Sequence, residues 1–194
     1  MSAKNLLSIF LPLAVFVIAA GGIYFSTTHR RVSQPPNKYE DRMPNIEGLN
    51  EGEFVSLPTL TTIAGETVSL NRLKEKRILC VFFTPTCSGC AKEVGLWQDL
   101  QDESEKRDVA FFVVDVGGDT ETLEKFVAAY KLKALRILFD PNHKVGPALK
   151  INFVPEYLLF ANDGTVLHRW DGVRNYDPGK DRGRLGEIFH FNTN

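Results

Sequence analysis

The sequence predicts an α/β fold with a central mixed sheet flanked by helices. Two continuous apolar runs, Ile78–Phe83 and Val109–Val114, have strand length and no polar face. That is the pattern of strands covered on both sides. Between them Val94, Trp97 and Leu100 recur at helical spacing, through about Lys106. A right-handed crossover then makes the two strands parallel neighbours. Further on, Tyr157–Ala161 and Val166–Trp170 flank Asn162-Asp163-Gly164, a hairpin that adds antiparallel pairing.

From the N-terminus, Asn5 to Thr28 carries no charge, and Leu6–Phe25 is almost wholly apolar, broken mainly by Ser8 and Pro12. About 20 apolar residues span a bilayer. Ala19-Ala20-Gly21 offers a small-residue cleavage site for the rival reading, a signal peptide, but Ile23-Tyr24-Phe25 prolongs the run beyond it. The expectation is an uncleaved anchor at 1–28, a Pro-containing linker at 29–50, a folded domain at 51–175 and a tail or short helix at 176–194. Lys4 precedes the span and Arg30 and Arg31 follow it, so charge alone would put the C-terminal side in the cytoplasm.

Within the domain, Thr59–Leu70 reads as a hairpin around Ala64-Gly65. Asp119 or Thr120 caps a helix whose Leu123, Phe126, Val127 and Tyr130 form one apolar stripe. Arg136–Phe139 is a short strand, and Gly146-Pro147 argues against a helix across His143–Lys150. Pro178, Gly179, Gly183 and Gly186 leave at most a turn or two around Leu185, Ile188 and Phe189.

Composition narrows the function. A net charge of −1 with no basic patch argues against nucleic acid as a partner. Three cysteines are too few for a disulfide scaffold. Structural zinc needs four ligands, and beyond Cys87 and Cys90 there is only Cys80, in mid-strand, with histidines scattered at 29, 143, 168 and 190. No metal is expected, and Cys80 reads as core. Cys87 and Cys90 sit where the apolar strand gives way to the helical pattern, with Cys87 near the helix start. A helix N-terminus favours a thiolate by about 0.3–1 kcal/mol, up to ~2, or roughly one pKa unit. The thiolate attacks disulfides, and a second thiol one turn inward resolves the mixed disulfide. Cys87 is the expected nucleophile and Cys90 the resolving thiol.

Four motifs in order carry a family resemblance: Leu57-Pro58-Thr59-Leu60 with Ala64–Leu70, Thr86-Cys87-Ser88-Gly89-Cys90-Ala91-Lys92-Glu93, Phe153-Val154-Pro155-Glu156-Tyr157, and Asn162-Asp163-Gly164-Thr165. From about Phe54 to Val173 the chain resembles the membrane-anchored thioredoxin-like oxidoreductases of the TlpA/ResA/CcmG type. Thr86 stands where that family usually has Trp, a form that resembles the MauD-like branch. The resemblance implies a thioredoxin-like fold with an N-terminal hairpin and a domain on the extracytoplasmic side. It implies a cis Val154–Pro155 bond beside the thiols, where Val154, Pro155 and Thr86 would meet the client, and no cofactor beyond the redox-active cysteine pair. Partners would be client proteins, including apocytochromes c, and a membrane thiol electron carrier. Without the resemblance Pro155 reads as a trans proline opening a strand.

Glu93 lies one turn past Cys90, as an acidic residue does in some relatives, and reads either as a proton relay for that thiol or as a solvated helix residue. Glu156 reads either as a partner contact or as a solvent-facing strand start. Two other functions compete. Thr84-x-x-Cys87 matches part of the peroxiredoxin motif, although Cys80 stands where that motif has proline. A copper-binding assembly factor of the Sco type shares the fold, but uses wider cysteine spacing and would need His143 or His168 as a ligand.

Overall fold

The computed structural model describes residues 48–190 apart from 118 and 133. The anchor expected at 1–28 and nearly all of the linker lie outside the described residues. Seven strands form one sheet: β1 (Thr59–Thr62), β2 (Thr67–Ser69), β3 (Arg77–Phe83), β4 (Val109–Asp115), β5 (Ile137–Phe139), β6 (Glu156–Ala161) and β7 (Val166–Asp171). Across the sheet they run β2-β1-β5-β4-β3-β6-β7. The helices are α1 (Ser88–Lys92), α2 (Val94–Glu105), α3 (Thr120–Ala129), α4 (Val145–Ala148), α5 (Pro178–Asp181) and α6 (Leu185–Ile188). β3 pairs parallel with β4, as the crossover rule requires, and antiparallel with β6. The sheet is therefore mixed. Among the described residues no helix is long and apolar enough to cross a membrane.

The pleat explains the continuous apolar runs. Leu79, Val81 and Phe83 of β3, with Val109, Phe111 and Val113 of β4, join Trp97 and Leu100 of α2 and Leu123 and Phe126 of α3 on one face. Ile78, Cys80 and Phe82 point the other way, into a second core with Leu49, Leu57, Leu70, Val145 and Leu149. Side chains alternate across a strand, so a strand with a core on each side has no position for a polar residue. On the helical face the rings of Phe83, Trp97 and Phe126 pack together, with Phe83 at 5.2 Å from each of the others.

Local chemistry sets the helix ends. Asp119 caps α3, its carboxylate accepting from the backbone N–H of Thr122 at 2.9 Å and from the Thr122 hydroxyl at 2.7 Å. The helix expected from Cys87 to Lys106 is broken at Glu93, whose N–H turns back to the carbonyl of Cys90 at 3.0 Å. The turn tightens there, and Glu93 swings inward.

The expectation of no helix near Gly146-Pro147 is corrected by α4. Pro147 sits in the first turn, where N–H groups lack intrahelical partners, so its missing donor costs nothing. Asp140 accepts from Val145 N–H at 2.6 Å and holds the helix start. The segment after Asn175 also packs inward despite its glycines. Leu185 and Phe189 are buried, and Tyr176 donates to Asp99 of α2 at 2.6 Å while Arg182 pairs with the same carboxylate. Residues 52–55 hydrogen-bond along the hairpin of β6 and β7, covering the edge of the sheet.

Phe83→Ala would empty the centre of the aromatic cluster and is expected to lower the unfolding free energy by about 3–5 kcal/mol, read from urea denaturation.

Candidate active site at the Cys87–Cys90 turn

β3 ends at Phe83, and the chain turns through Thr84-Pro85-Thr86, with Cys87 N–H donating to the Thr84 carbonyl at 3.1 Å. Cys87 is the N-cap of α1, and its Sγ accepts from the backbone N–H of Cys90 at 3.1 Å. Because α1 has only five residues before the break at Glu93, this single N–H, rather than a long helix dipole, is the main local support for negative charge on Cys87. The two cysteines are disulfide-bonded, with Cα atoms 5.3 Å apart. Cys87 is half-buried, and Cys90 is fully buried.

The loop before β6 completes the rim. The Val154–Pro155 peptide is cis, and the carbonyl oxygen of Val154 lies 3.6 Å from Cys87 Sγ. Thr86 and Ser88 on either side of Cys87 are exposed. Gly89 keeps the approach narrow without blocking it. A Cβ there would meet Val173 Cγ2 at 3.0 Å and lie 3.8 Å from both Cys87 Sγ and Pro155 Cδ. Cys80 belongs to the core on the far side of the sheet, and burial raises its thiol pKa far above the ordinary value.

Glu93 is buried, at 1% exposure, and is not the solvated residue of the alternative reading. The hydroxyl of Tyr157 donates to its Oε2 at 2.7 Å and accepts from the indole N–H of Trp97 at 3.1 Å. Cys90, Trp97 and Tyr157 share one core cluster. Sequence reasoning missed Tyr157. The available signal was a phenol inside an apolar strand, since a buried hydroxyl needs a partner.

Glu156 is also buried, at 0% exposure, which removes both the solvent-facing reading and the partner-contact reading. It opens β6 and packs on the opposite face of the strand from Tyr157. Arg169 Nε lies 3.1 Å from its Oε1, but that N–H is aligned on Asp171 at 3.0 Å, so the Glu156 contact is one of charge rather than a directed bond. Burial pushes the Glu156 carboxyl up to about 7, against the pull of Arg169.

The remaining candidates stay apart. His168 faces Leu159 in the β6–β7 register, three steps along β6 from Glu156, and its Nδ1 is engaged by Glu51. Among the described residues no group of three His, Cys, Asp or Glu side chains is arranged to hold a metal ion.

A mixed sheet with a Cys-x-x-Cys disulfide just past the end of an inner strand and a cis-proline opposite defines the thioredoxin-like class. Residues 51–169 match the AhpC/TSA family, and the chain belongs to it. No curated protein sequence matches the chain. Solved structures share its fold. One is a Chlorobium tepidum protein assigned as the thiol:disulfide interchange protein DsbE, with 19% identity over 74% of this chain and 98% of that one, and a TM-score of 0.62. A secreted Mycobacterium tuberculosis disulfide oxidoreductase, homologous to Escherichia coli DsbE, has 20% identity over 68% and 96%, with a TM-score of 0.56. StoA of Bacillus subtilis has 22% identity over 65% and 93%, with a TM-score of 0.54.

The raised Glu156 value has a consequence for stability. The folded state holds this proton more tightly than the unfolded chain, whose value is near 4.5, so the contribution is full below 4.5 and is lost as pH rises through about 7. The loss is on the order of 3–4 kcal/mol at most, at roughly 1.4 kcal/mol per unit. Glu156→Gln, neutral throughout, is expected to flatten the fall in melting temperature between about pH 5 and pH 8 relative to the parent.

Proposed function

We propose that the protein is a membrane-tethered thiol–disulfide oxidoreductase that exchanges disulfides with client proteins through Cys87 and Cys90. The observation that carries this reading is the asymmetry of the pair. One sulfur is reachable beside the Val154 carbonyl, and its partner is sealed beneath it. In the reduced protein, the Cys87 thiolate attacks a client disulfide, forming the Cys87–client bond and releasing one client thiolate. Cys90 gives its proton to the Glu93 carboxylate and attacks Cys87 Sγ. The internal disulfide forms, the second client thiolate leaves, and two electrons have passed to the client. The two client thiolates take up protons, one of them returned from Glu93. The half-buried Val154 backbone pairs with an extended client segment and exposed Thr86 forms the rim it meets, while Pro155 is buried and acts by holding Val154 in place rather than by touching the client. Sulfur exchange of this kind needs no metal or organic cofactor.

The family resemblance supports apocytochromes c as clients and a membrane thiol carrier as the source of electrons. The apolar run Leu6–Phe25 supports a tether, with residues 29–50 as the linker. The resemblance also favours an extracytoplasmic domain, against the charge pattern of Lys4, Arg30 and Arg31. Membership of the AhpC/TSA family and the Thr84-x-x-Cys87 spacing favour one second reading, a thiol peroxidase. Faster turnover of hydrogen peroxide than of insulin would select it.

Cys90→Ser in the full chain is expected to accumulate mixed disulfides on Cys87, in the membrane fraction and accessible to protease from outside the cytoplasm. Failure to trap any thiol partner would overturn the exchange reading. Trapping in a soluble or cytoplasmic form would overturn only the tether or its orientation.

A further inference from the structure

The hydrogen bonds beneath the dithiol run in one direction only. The indole of Trp97 is a donor and never an acceptor, so its N–H, 3.1 Å from the Tyr157 oxygen, claims a lone pair there. The single phenolic hydrogen must then point elsewhere, and Glu93 Oε2 is 2.7 Å away. A carboxylate can receive that hydrogen at any lone pair, whereas a neutral carboxylic acid places its own proton on one oxygen and competes for the same space. The arrangement therefore gives Glu93 Oε2 one fixed donor inside the core. Trp97, Tyr157 and Cys90 are each 0% exposed and Glu93 is 1% exposed, so water does not substitute for these bonds.

We infer that Tyr157 is a positioning residue which, held by Trp97, fixes the Glu93 carboxyl in place to take the Cys90 proton. This rests on the proton-relay reading of Glu93 and adds the group that tunes it. The proton moves from Cys90 Sγ to Glu93. Tyr157 keeps its own proton throughout, in line with a phenol raised well above its ordinary value by burial and by the Glu93 charge. The groups that face the chain are few. Cys90 comes from α1 and Trp97 from α2, while Arg174, beyond β7, exerts a positive charge on Tyr157. Phe189 contributes only a ring, 5.5 Å from that of Tyr157. Glu156, the neighbour of Tyr157 in β6, lies on the other face of the sheet and titrates apart from this chain.

The test is the pH dependence of single-turnover exchange between the reduced protein and oxidised glutathione, for the parent, Tyr157→Phe, Glu93→Gln and the double variant. Tyr157→Phe keeps the ring and removes only the donor. It is expected to move the Glu93-dependent inflection to higher pH, because the carboxylate loses a donor. In the Glu93→Gln background the same substitution is expected to change nothing further. A Tyr157→Phe profile that superimposes on the parent while Glu93→Gln moves it would overturn the inference and leave the relay intact. A Glu93→Gln profile equal to the parent would overturn the relay and the inference together. Trp97→Phe tests the chain from its other end if Tyr157→Phe does not fold. It is expected to shift the inflection in the same direction by less, and no shift would overturn the inference.

Discussion

β3 has a hydrophobic core on each side, and that constraint fixes everything at its C-terminal end. From Ile78 to Phe83 both faces of the strand are close-packed, by the Leu79–Val81–Phe83 and Ile78–Cys80–Phe82 sets, so a slip or a turn-over would misfit two cores at once. Pairing with β4 on one side and β6 on the other extends to the last residues of the strand, with Phe82 opposite Glu156 and Phe83 opposite Asp115. The chain therefore leaves the sheet at a defined point, and the next residues form the turn that carries Cys87. The cis-proline segment is brought to the same point by the antiparallel register of β6.

From there the two sulfurs acquire different environments although they are three residues apart. Cys87 stands at the rim, with one backbone N–H donating to its sulfur and the Val154 carbonyl beside it. Cys90 lies one turn inward, within the core cluster that holds Trp97 and Tyr157. The break at Glu93 turns a carboxylate into that interior, where an isolated charge would be costly. The phenol of Tyr157 donates to that carboxyl group, and the indole of Trp97 donates to the phenol. One sulfur can be reached from outside, and the other lies above a buried hydrogen-bonded chain of Glu93, Tyr157 and Trp97.

The elements legible in the sequence were those whose pattern is set by burial or by a turn. Runs such as Val109–Val114 admit few alternatives to a central strand, and Asn162-Asp163-Gly164 marks a hairpin because Gly164 takes φ of 100°. The Asp119 cap and the Cys87 turn were legible for the same reason, since a few adjacent residues decide them. What escaped depends on distant neighbours. α4 forms through Gly146-Pro147 because the proline falls in the first turn, a matter of register that composition does not carry. The C-terminal turns persist because Asp99 on α2 receives Tyr176 and Arg182. The burial of Glu156 and the Tyr157–Glu93 bond arise from strand β6 lying beside β3, and no local pattern announces them.

The central claim is the asymmetry of the two sulfurs, and competitive alkylation tests it most directly. The reduced protein would be treated briefly with limiting iodoacetamide near neutral pH, with each modified cysteine identified by mass spectrometry. The account predicts that nearly all early label falls on Cys87, while Cys90 and Cys80 react only after denaturation. Early label on Cys90, or equal labelling of Cys87 and Cys90, would contradict it.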